Sequence, residues 1–179
     1  HNAIHGLVVF ETFELISKTE SKAVCKYIYE GQSIGYPFPY EIILSYEVKN
    51  GRLNFNIEVS NTGEGNMPYG FGWHPYFGFS GESISEMTIK VPRRKKIALD
   101  DRYIPTSEFE INRAEVIQLK NIILDNVFAL ENENEAAEIT LRWKKKKLVV
   151  SQKAGEGKLN YFVLYTPSSR NCTAIEPQT

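Results

Sequence analysis

The stretch that decides the fold runs from Ile42 to Val59 and reads Ile-Ile-Leu-Ser-Tyr-Glu-Val-Lys-Asn-Gly-Arg-Leu-Asn-Phe-Asn-Ile-Glu-Val. Apolar and polar residues alternate on both sides of Asn50-Gly51, which is the pattern of strands with one buried face. Asn-Gly is the strongest short hairpin signal, because both residues tolerate positive φ. The stretch therefore predicts two antiparallel strands joined by a two-residue turn.

Further short strands are predicted by the same pattern along most of the chain, at residues 8–16, 23–29, 87–91, 137–143, 148–152 and 161–165. Turn residues separate them, and no segment has a convincing helical period. Strands at this spacing indicate an all-β antiparallel sandwich or barrel. Residues 100–115 are predicted to form a loop, since Pro105 interrupts any regular element.

The composition is that of an ordinary globular protein. A length of 179 residues predicts one domain over residues 1–179. Twenty-one basic residues against 22 acidic residues leave a net charge of -1. This balance argues against nucleic acid or an anionic membrane as the main partner. No apolar run approaches the ~18 residues of a membrane helix.

Two basic runs, residues 93–96 and 144–147, are open to two interpretations. A nucleic-acid patch is one, but the interleaved aromatic residues of a single-strand binder are absent from both runs. The exposed edge or turn of a strand is favoured, because lysine on an edge discourages aberrant strand pairing.

The cysteines and the chain ends give weaker indications. Cys25 and Cys172 are the only cysteines and lie far apart in sequence. They predict a reducing, cytoplasmic location, with a single disulfide as the alternative. The chain starts at His1 without a methionine and stops at Thr179 without a terminal element. We therefore expect it to be the central part of a longer polypeptide, and the oligomeric state is left open.

Residues 67–77, Met-Pro-Tyr-Gly-Phe-Gly-Trp-His-Pro-Tyr-Phe, form the most unusual segment. Its glycines and prolines predict an irregular backbone, and its aromatic residues supply flat apolar faces. His74, one of three histidines, can exchange a proton near neutral pH. A small polar ring-shaped ligand would fit such a segment, whereas a core aromatic cluster is the alternative.

Three other polar residues stand where strand packing does not demand them. His5 follows His1 by four positions, but Gly6 argues against a helix and no third ligand is evident, so no metal site is predicted. Asp125 enters a strand, with a simple turn as the alternative. Glu176 precedes Pro177 where a buried strand is expected to have ended, which suits a general base. A surface glutamate is the alternative there.

The set of candidate residues predicts proton transfer. Two histidines and one carboxylate occur without a serine or cysteine nucleophile motif, and no glycine-rich phosphate loop is present. They favour acid–base chemistry on a small polar ligand without a cofactor.

Five motifs resemble, in order and spacing, the aldose 1-epimerase (mutarotase) family. They are residues 2–6 (Asn-Ala-Ile-His-Gly), 36–39 (Tyr-Pro-Phe-Pro), 72–77 (Gly-Trp-His-Pro-Tyr-Phe), 124–128 (Leu-Asp-Asn-Val-Phe), and Tyr165-Thr166-Pro167 leading to 175–179 (Ile-Glu-Pro-Gln-Thr). The resemblance implies a mutarotase-like supersandwich, a large twisted antiparallel β-sandwich that is incomplete at both ends in this chain. It also implies a small sugar substrate held in an open cleft.

The resemblance also implies a role for each matched residue in interconverting the α and β anomers of a free aldose. Glu176 would be the base on the anomeric hydroxyl, and His74 would protonate the ring oxygen. His5 would hydrogen-bond near that oxygen, and Asp125 would bind a sugar hydroxyl. Ring chemistry, rather than the family, suggests that Trp73 or Tyr76 stacks on the sugar.

Two other functions remain as alternatives. A hexose-6-phosphate epimerase is one, although the run after Gly6 lacks an arginine that phosphate recognition would favour. A carbohydrate-binding protein that has lost turnover on the same fold is the other. The trio of His5, His74 and Glu176 favours an enzyme, because a pure binder needs no matched acid and base.

Overall fold

The computed structural model describes residues 5–131 and 136–179. The chain divides into two compact units, His1–Tyr69 and Gly70–Thr179. His1, with the Asn2-Ala3-Ile4 part of the first motif, lies outside the described residues.

From His5 onward, the first unit is a four-stranded antiparallel meander. Its strands, in sheet order, are β1 (Glu14–Lys18), β2 (Lys22–Tyr29), β3 (Tyr40–Lys49) and β4 (Arg52–Asn61). The predicted hairpin is confirmed, and its turn residues Asn50 and Gly51 have φ values of 52° and 70°. The strand predicted from residue 8 instead begins at Glu14, and Phe13 packs on a small cluster around Tyr40.

In the described part of the second unit, the structure has ten strands and one short 3-10 helix, Ile84–Glu86. The strands are β5 (Tyr76–Phe77), β6 (Thr88–Val91), β7 (Arg94–Leu99), β8 (Pro105–Asn112), β9 (Glu115–Gln118), β10 (Asp125–Leu130), β11 (Ala136–Trp143), β12 (Lys146–Lys153), β13 (Tyr161–Tyr165) and β14 (Thr173–Gln178). They form a six-stranded sheet, β5-β14-β13-β10-β7-β8, and a four-stranded sheet, β12-β11-β6-β9. All strand pairs are antiparallel.

The two sheets of the second unit share one apolar core. Phe128 and Phe162 of the larger sheet stack with ring centroids 5.1 Å apart, and the same cluster includes Ile89 and Leu141 of the smaller sheet. The period of two along each strand sends alternate side chains into this core. The all-β antiparallel sandwich predicted from the sequence is thus confirmed for this unit.

One predicted loop is wrong. Residues 105–112 form strand β8 at the edge of the six-stranded sheet, and Pro105 is its first residue. Proline lacks a backbone donor, but it is tolerated at the start of a strand and on an edge strand. Pro105 therefore begins this element.

The two basic runs occupy different positions in the fold. Lys144 and Lys145 form the turn between β11 and β12, as predicted, and Lys144 has a φ of 51°. Residues 94–96 instead belong to β7, an inner strand between β10 and β8. There the side chain of Arg94 is buried, which corrects the prediction of an exposed edge.

Among the residues that the structure describes, no helix is long and apolar enough to cross a membrane.

Candidate active site

The candidate site is built on β14 and the segment that runs antiparallel beside it, residues 71–77. Backbone hydrogen bonds keep one register along this segment: Thr179 N to Phe71 O (2.9 Å), Trp73 N to Pro177 O (3.0 Å) and Ile175 N to Pro75 O (3.4 Å). The pairs Gly72–Gln178 and Tyr76–Ala174 continue the same register. Residues 71–77 therefore keep one register beside β14, although most of the segment is irregular, as the sequence predicted, and only Tyr76–Phe77 is a strand. Glu176 lies within a strand and does not follow its end.

This register places His74 directly opposite Glu176. The two residues stand between hydrogen-bonded pairs, and such positions bring facing side chains closest in an antiparallel ladder. His74 Nε2 lies 3.4 Å from Glu176 Oε1. The carboxylate side chain is only 8% exposed and the imidazole 34%, so a ligand can reach the histidine while the glutamate is shielded from water.

Two prolines explain why the ladder is hard to recognise in the sequence. Pro75 and Pro177 each lack a backbone N–H, so the pairs they form with Ile175 and Trp73 cannot have two hydrogen bonds. Only Tyr76–Phe77 of the segment has regular strand geometry. The carbonyls of both prolines still accept bonds, and these are enough to hold the register.

Three further residues lie on the same face of the six-stranded sheet as His74 and Glu176. The Tyr76 ring stacks on the imidazole of His74, with centroids 4.9 Å apart and planes inclined by 25°. Tyr165 meets Tyr76 edge-on at 6.5 Å. Asp125, at the exposed start of β10, is the cross-strand partner of Tyr165. The sheet thus brings together three polar groups and two aromatic rings.

The Tyr76 phenol is influenced by this setting. Partial burial raises its pKa, and the neighbouring Tyr165, Glu176 and Cys172 act in the same direction. The phenol is therefore neutral near pH 7, where it can donate a hydrogen bond. Stacking on Tyr76 also fixes the orientation of the His74 ring.

Trp73 lies on the opposite side of the ladder. Side chains alternate along residues 71–77, and Trp73 meets Phe77 edge-on at 6.3 Å. Phe77 packs against the core of the sandwich. Of the two aromatic residues predicted to stack on a sugar, only Tyr76 shares a face with His74 and Glu176.

His5 belongs to the first unit, where it is an exposed turn residue with a φ of 64°. Its predicted place near the sugar ring oxygen stays a prediction. Its suggested metal partner, His1, is not among the described residues. Within residues 5–131 and 136–179, no group of three histidine, cysteine, aspartate or glutamate side chains could hold a metal ion.

An open pocket of about 590 Å³ lies elsewhere, between the loop after β5 and the loop before β14. Arg170 lines it, and its guanidinium donates to the carbonyls of Leu119 and Ile122. These bonds join loops of the second unit, so we attribute a structural role to Arg170. His74 and Glu176 do not line this pocket.

Two residues of the site face were missed as functional candidates from the sequence. Tyr165 and Gln178 lie within the quoted motifs, but neither was singled out. Both follow from the period of two once the strands are paired, because Gln178 is two residues beyond Glu176 and Tyr165 is opposite Asp125. The signal was the strand register, which the sequence alone did not supply.

The fold and the site define an all-β sandwich protein with a histidine and a glutamate 3.4 Å apart on one sheet face. The family described as Aldose 1-epimerase matches residues 1–178, and the chain belongs to this family. The match does not bear out the prediction that the chain is a central fragment.

Solved structures show the same fold. A galactose mutarotase related enzyme from Lactobacillus acidophilus is 22% identical, with a TM-score of 0.76 over 93% of this chain and 58% of its own. A galactose mutarotase-like protein from Lactobacillus casei is 17% identical, with a TM-score of 0.71 over 93% of this chain and 60% of its own. A GalM/aldose epimerase homologue from C. elegans is 16% identical, with a TM-score of 0.75 and coverage of 93% and 58%. The chain thus spans less than two thirds of the length of these structures.

Proposed function

We propose that this protein interconverts the α and β anomers of a free aldose by acid–base ring opening and re-closure. The observation that carries the proposal is the His74–Glu176 pair, a shielded carboxylate 3.4 Å from a partly exposed imidazole on one sheet face. Membership of the aldose 1-epimerase family supports the same chemistry.

The reaction needs an acid and a base close together. The anomeric hydroxyl oxygen and the ring oxygen are bonded to the same carbon, so the groups that serve them must stand side by side. Glu176 takes the proton of the anomeric hydroxyl while His74 gives a proton to the ring oxygen. The bond between the anomeric carbon and the ring oxygen breaks, and an open-chain aldehyde forms.

Re-closure reverses both proton transfers. The bond between the first two carbons rotates. The hydroxyl that was the ring oxygen then attacks the other face of the aldehyde. His74 takes back the proton of that hydroxyl, and Glu176 returns a proton to the new anomeric oxygen. Each positioned proton-transfer group contributes roughly 10²–10⁴-fold to the rate.

The neighbouring side chains provide contacts for the sugar. Asp125 is exposed on the same face and accepts hydrogen bonds from sugar hydroxyls. Tyr76 holds the imidazole of His74 through stacking and offers its phenol to the ligand. His5 is proposed to act near the ring oxygen on the family resemblance alone. The proposed location is the cytoplasm, because the thiols of Cys25 and Cys172 are not joined in a disulfide.

Polarimetry tests the proposal. The optical rotation of freshly dissolved α-anomers of glucose, galactose and related hexoses is followed with and without the protein. We expect the optical rotation to reach equilibrium faster with the protein, in proportion to its concentration. If the protein accelerates the approach to equilibrium for none of these sugars, the proposal is wrong.

The same assay separates the two alternatives. Faster turnover of hexose 6-phosphates than of free hexoses would identify a phosphosugar epimerase. Saturable binding of sugar, measured by calorimetry, without any acceleration would identify a carbohydrate-binding protein. Either result contradicts the proposed free-aldose epimerase.

A further inference from the structure

We infer that the side-chain amide of Gln178 binds a sugar hydroxyl and is a specificity determinant of the site. The inference rests on the proposed function, because it concerns the ligand that His74 and Glu176 would act on. Gln178 takes no part in the proton transfers.

The position of Gln178 suits this role. It is the last residue of β14, two positions beyond Glu176, so both side chains leave the same face of the sheet. Two residues of strand span about 6.6 Å. That spacing lets one pyranose ring place its anomeric carbon at Glu176 and a hydroxyl from the far side of the ring at Gln178.

Gly72 shows that the amide is held beside the catalytic pair. Gly72 is the cross-strand partner of Gln178 and does not have a positive φ, so its backbone does not require glycine. A Cβ at Gly72 would lie 3.3 Å from Gln178 Cγ, and 3.6 Å from both Cδ and Nε2. The amide therefore lies over the bare backbone of the segment that carries His74, and glycine makes room for it.

The amide retains its hydrogen-bonding capacity. Gln178 is half-buried, and the described residues contain no hydrogen-bond partner for its side-chain oxygen or nitrogen. On its other side stands Tyr161, its partner in β13, which is 40% exposed. An amide that is oriented by packing but not engaged is ready to bind a ligand.

The chemistry fits a hydroxyl better than a charged group. A carboxamide both donates and accepts, so it can satisfy a sugar hydroxyl in either orientation. It brings no charge next to Glu176 and leaves the acid–base pair undisturbed. A hydroxyl that is axial in one hexose and equatorial in its epimer would meet the amide in only one of the two sugars.

The test compares Gln178→Leu with the unaltered full-length protein across glucose, galactose, mannose and their monodeoxy analogues, by polarimetry. We expect Gln178→Leu to raise KM by roughly 5- to 10-fold for a preferred hexose, the effect of one lost hydrogen bond. We expect kcat to stay within about twofold, because the contact is the same in the ground and transition states. For one deoxy analogue, the two proteins should have the same KM. The hydroxyl that this analogue lacks is the one that Gln178 binds.

Two further variants sharpen the result. Gly72→Ala pushes the amide aside while keeping it, and we expect the same sugar pattern with a smaller rise in KM. Gln32→Leu makes the same substitution at an exposed position of the first unit and should leave KM unchanged.

The possible failures are distinguishable. An unchanged KM for Gln178→Leu in an active protein overturns this inference alone. An equal rise for every deoxy analogue also overturns it, because a general structural effect has no hydroxyl preference. No acceleration by the unaltered protein overturns the proposed function, and the inference falls with it.

Discussion

The pairing of His74 with Glu176 shows how the position of one residue gives it chemical meaning. The two side chains come from distant parts of the second unit, and the ladder brings Nε2 and Oε1 to 3.4 Å. A shift of one residue in that ladder would turn one side chain toward the core. The chemistry of the site therefore depends on register as much as on residue type.

Glu176→Gln tests the proposed base directly. The amide keeps the size of the side chain but cannot take the proton of the anomeric hydroxyl. We expect kcat to fall by at least ~10²-fold, with sugar binding largely kept, as measured by polarimetry and calorimetry. Glu138→Gln, an exposed position of β11, is the matched control and should retain full activity. Near-normal turnover by Glu176→Gln would remove Glu176 from the role of base.

The residue types of the site could be predicted from the sequence, but their arrangement could not. His74, Asp125 and Glu176 stood out because packing did not require them. Their shared face depends on pairings between residues far apart in the chain, such as Asp125 with Tyr165. The period of two predicts which side chains of a strand share a face, but it does not predict which other strand pairs with that strand.

Arg94 shows how a single side chain ties elements of the second unit together. Its guanidinium donates to the carbonyls of Pro92 (3.2 Å) and Arg113 (3.1 Å) and to Glu115 Oε1 (2.7 Å). It also lies 4.8 Å from the centre of the Phe128 ring. Arg94 therefore connects β7 of the larger sheet with β9 of the smaller sheet.

Arg94→Lys is expected to destabilise the second unit. Lysine keeps the charge but lacks the planar fork that serves three acceptors at once. We expect the free energy of unfolding, measured in urea, to fall by about 1–3 kcal/mol. Arg142→Lys at an exposed position of β11 is the control and should change it little. Equal stability of the two variants would contradict the tying role of Arg94.

The element that the sequence predicted best is the hairpin β3–β4, with its clear period and its Asn-Gly turn signal, and the strands β11 and β12 were also predicted. Two of the elements it missed, β5 and β8, lie on a sheet edge, whereas the missed strand β7 is an inner strand whose basic residues did not suggest burial. Pro105 begins β8, and Pro75 and Pro177 interrupt the ladder beside β14 without ending it. In each case a neighbouring strand compensates for the local preference of proline, and a single sequence does not reveal that neighbour.

The two units of the molecule have cores of different chemistry. The second unit buries mainly aliphatic residues and two stacked phenylalanines. The first unit relies on a small cluster in which the ring centroids of Tyr29 and Tyr40 lie 4.9 Å apart. Tyrosine packs like an apolar ring while it is neutral, but it ionises in alkali. The stability of the first unit should therefore depend on pH in the alkaline range, because tyrosines ionise there and aliphatic side chains do not.

Tyr40 makes this difference measurable. Burial raises the pKa of its phenol from 10.0 to about 12, and Tyr27, Tyr29 and Tyr36 add to the rise. The unfolded chain ionises this phenol from pH 10 upward, whereas the folded chain keeps it neutral until about pH 12. The stabilisation is thus complete below pH 10 and is lost progressively as the pH rises to about 12.

We expect the unfolding free energy to fall less steeply between pH 10 and pH 12 in Tyr40→Phe than in the unaltered protein. Phenylalanine keeps the packed ring but has no proton to lose. Lysines and the tyrosines that are not coupled to Tyr40 titrate in both proteins, so their contributions cancel in the comparison. Tyr103→Phe, an exposed position, should keep the unaltered pH dependence. Urea unfolding at a series of alkaline pH values measures the slopes, and parallel slopes for all three proteins would contradict the raised pKa of Tyr40.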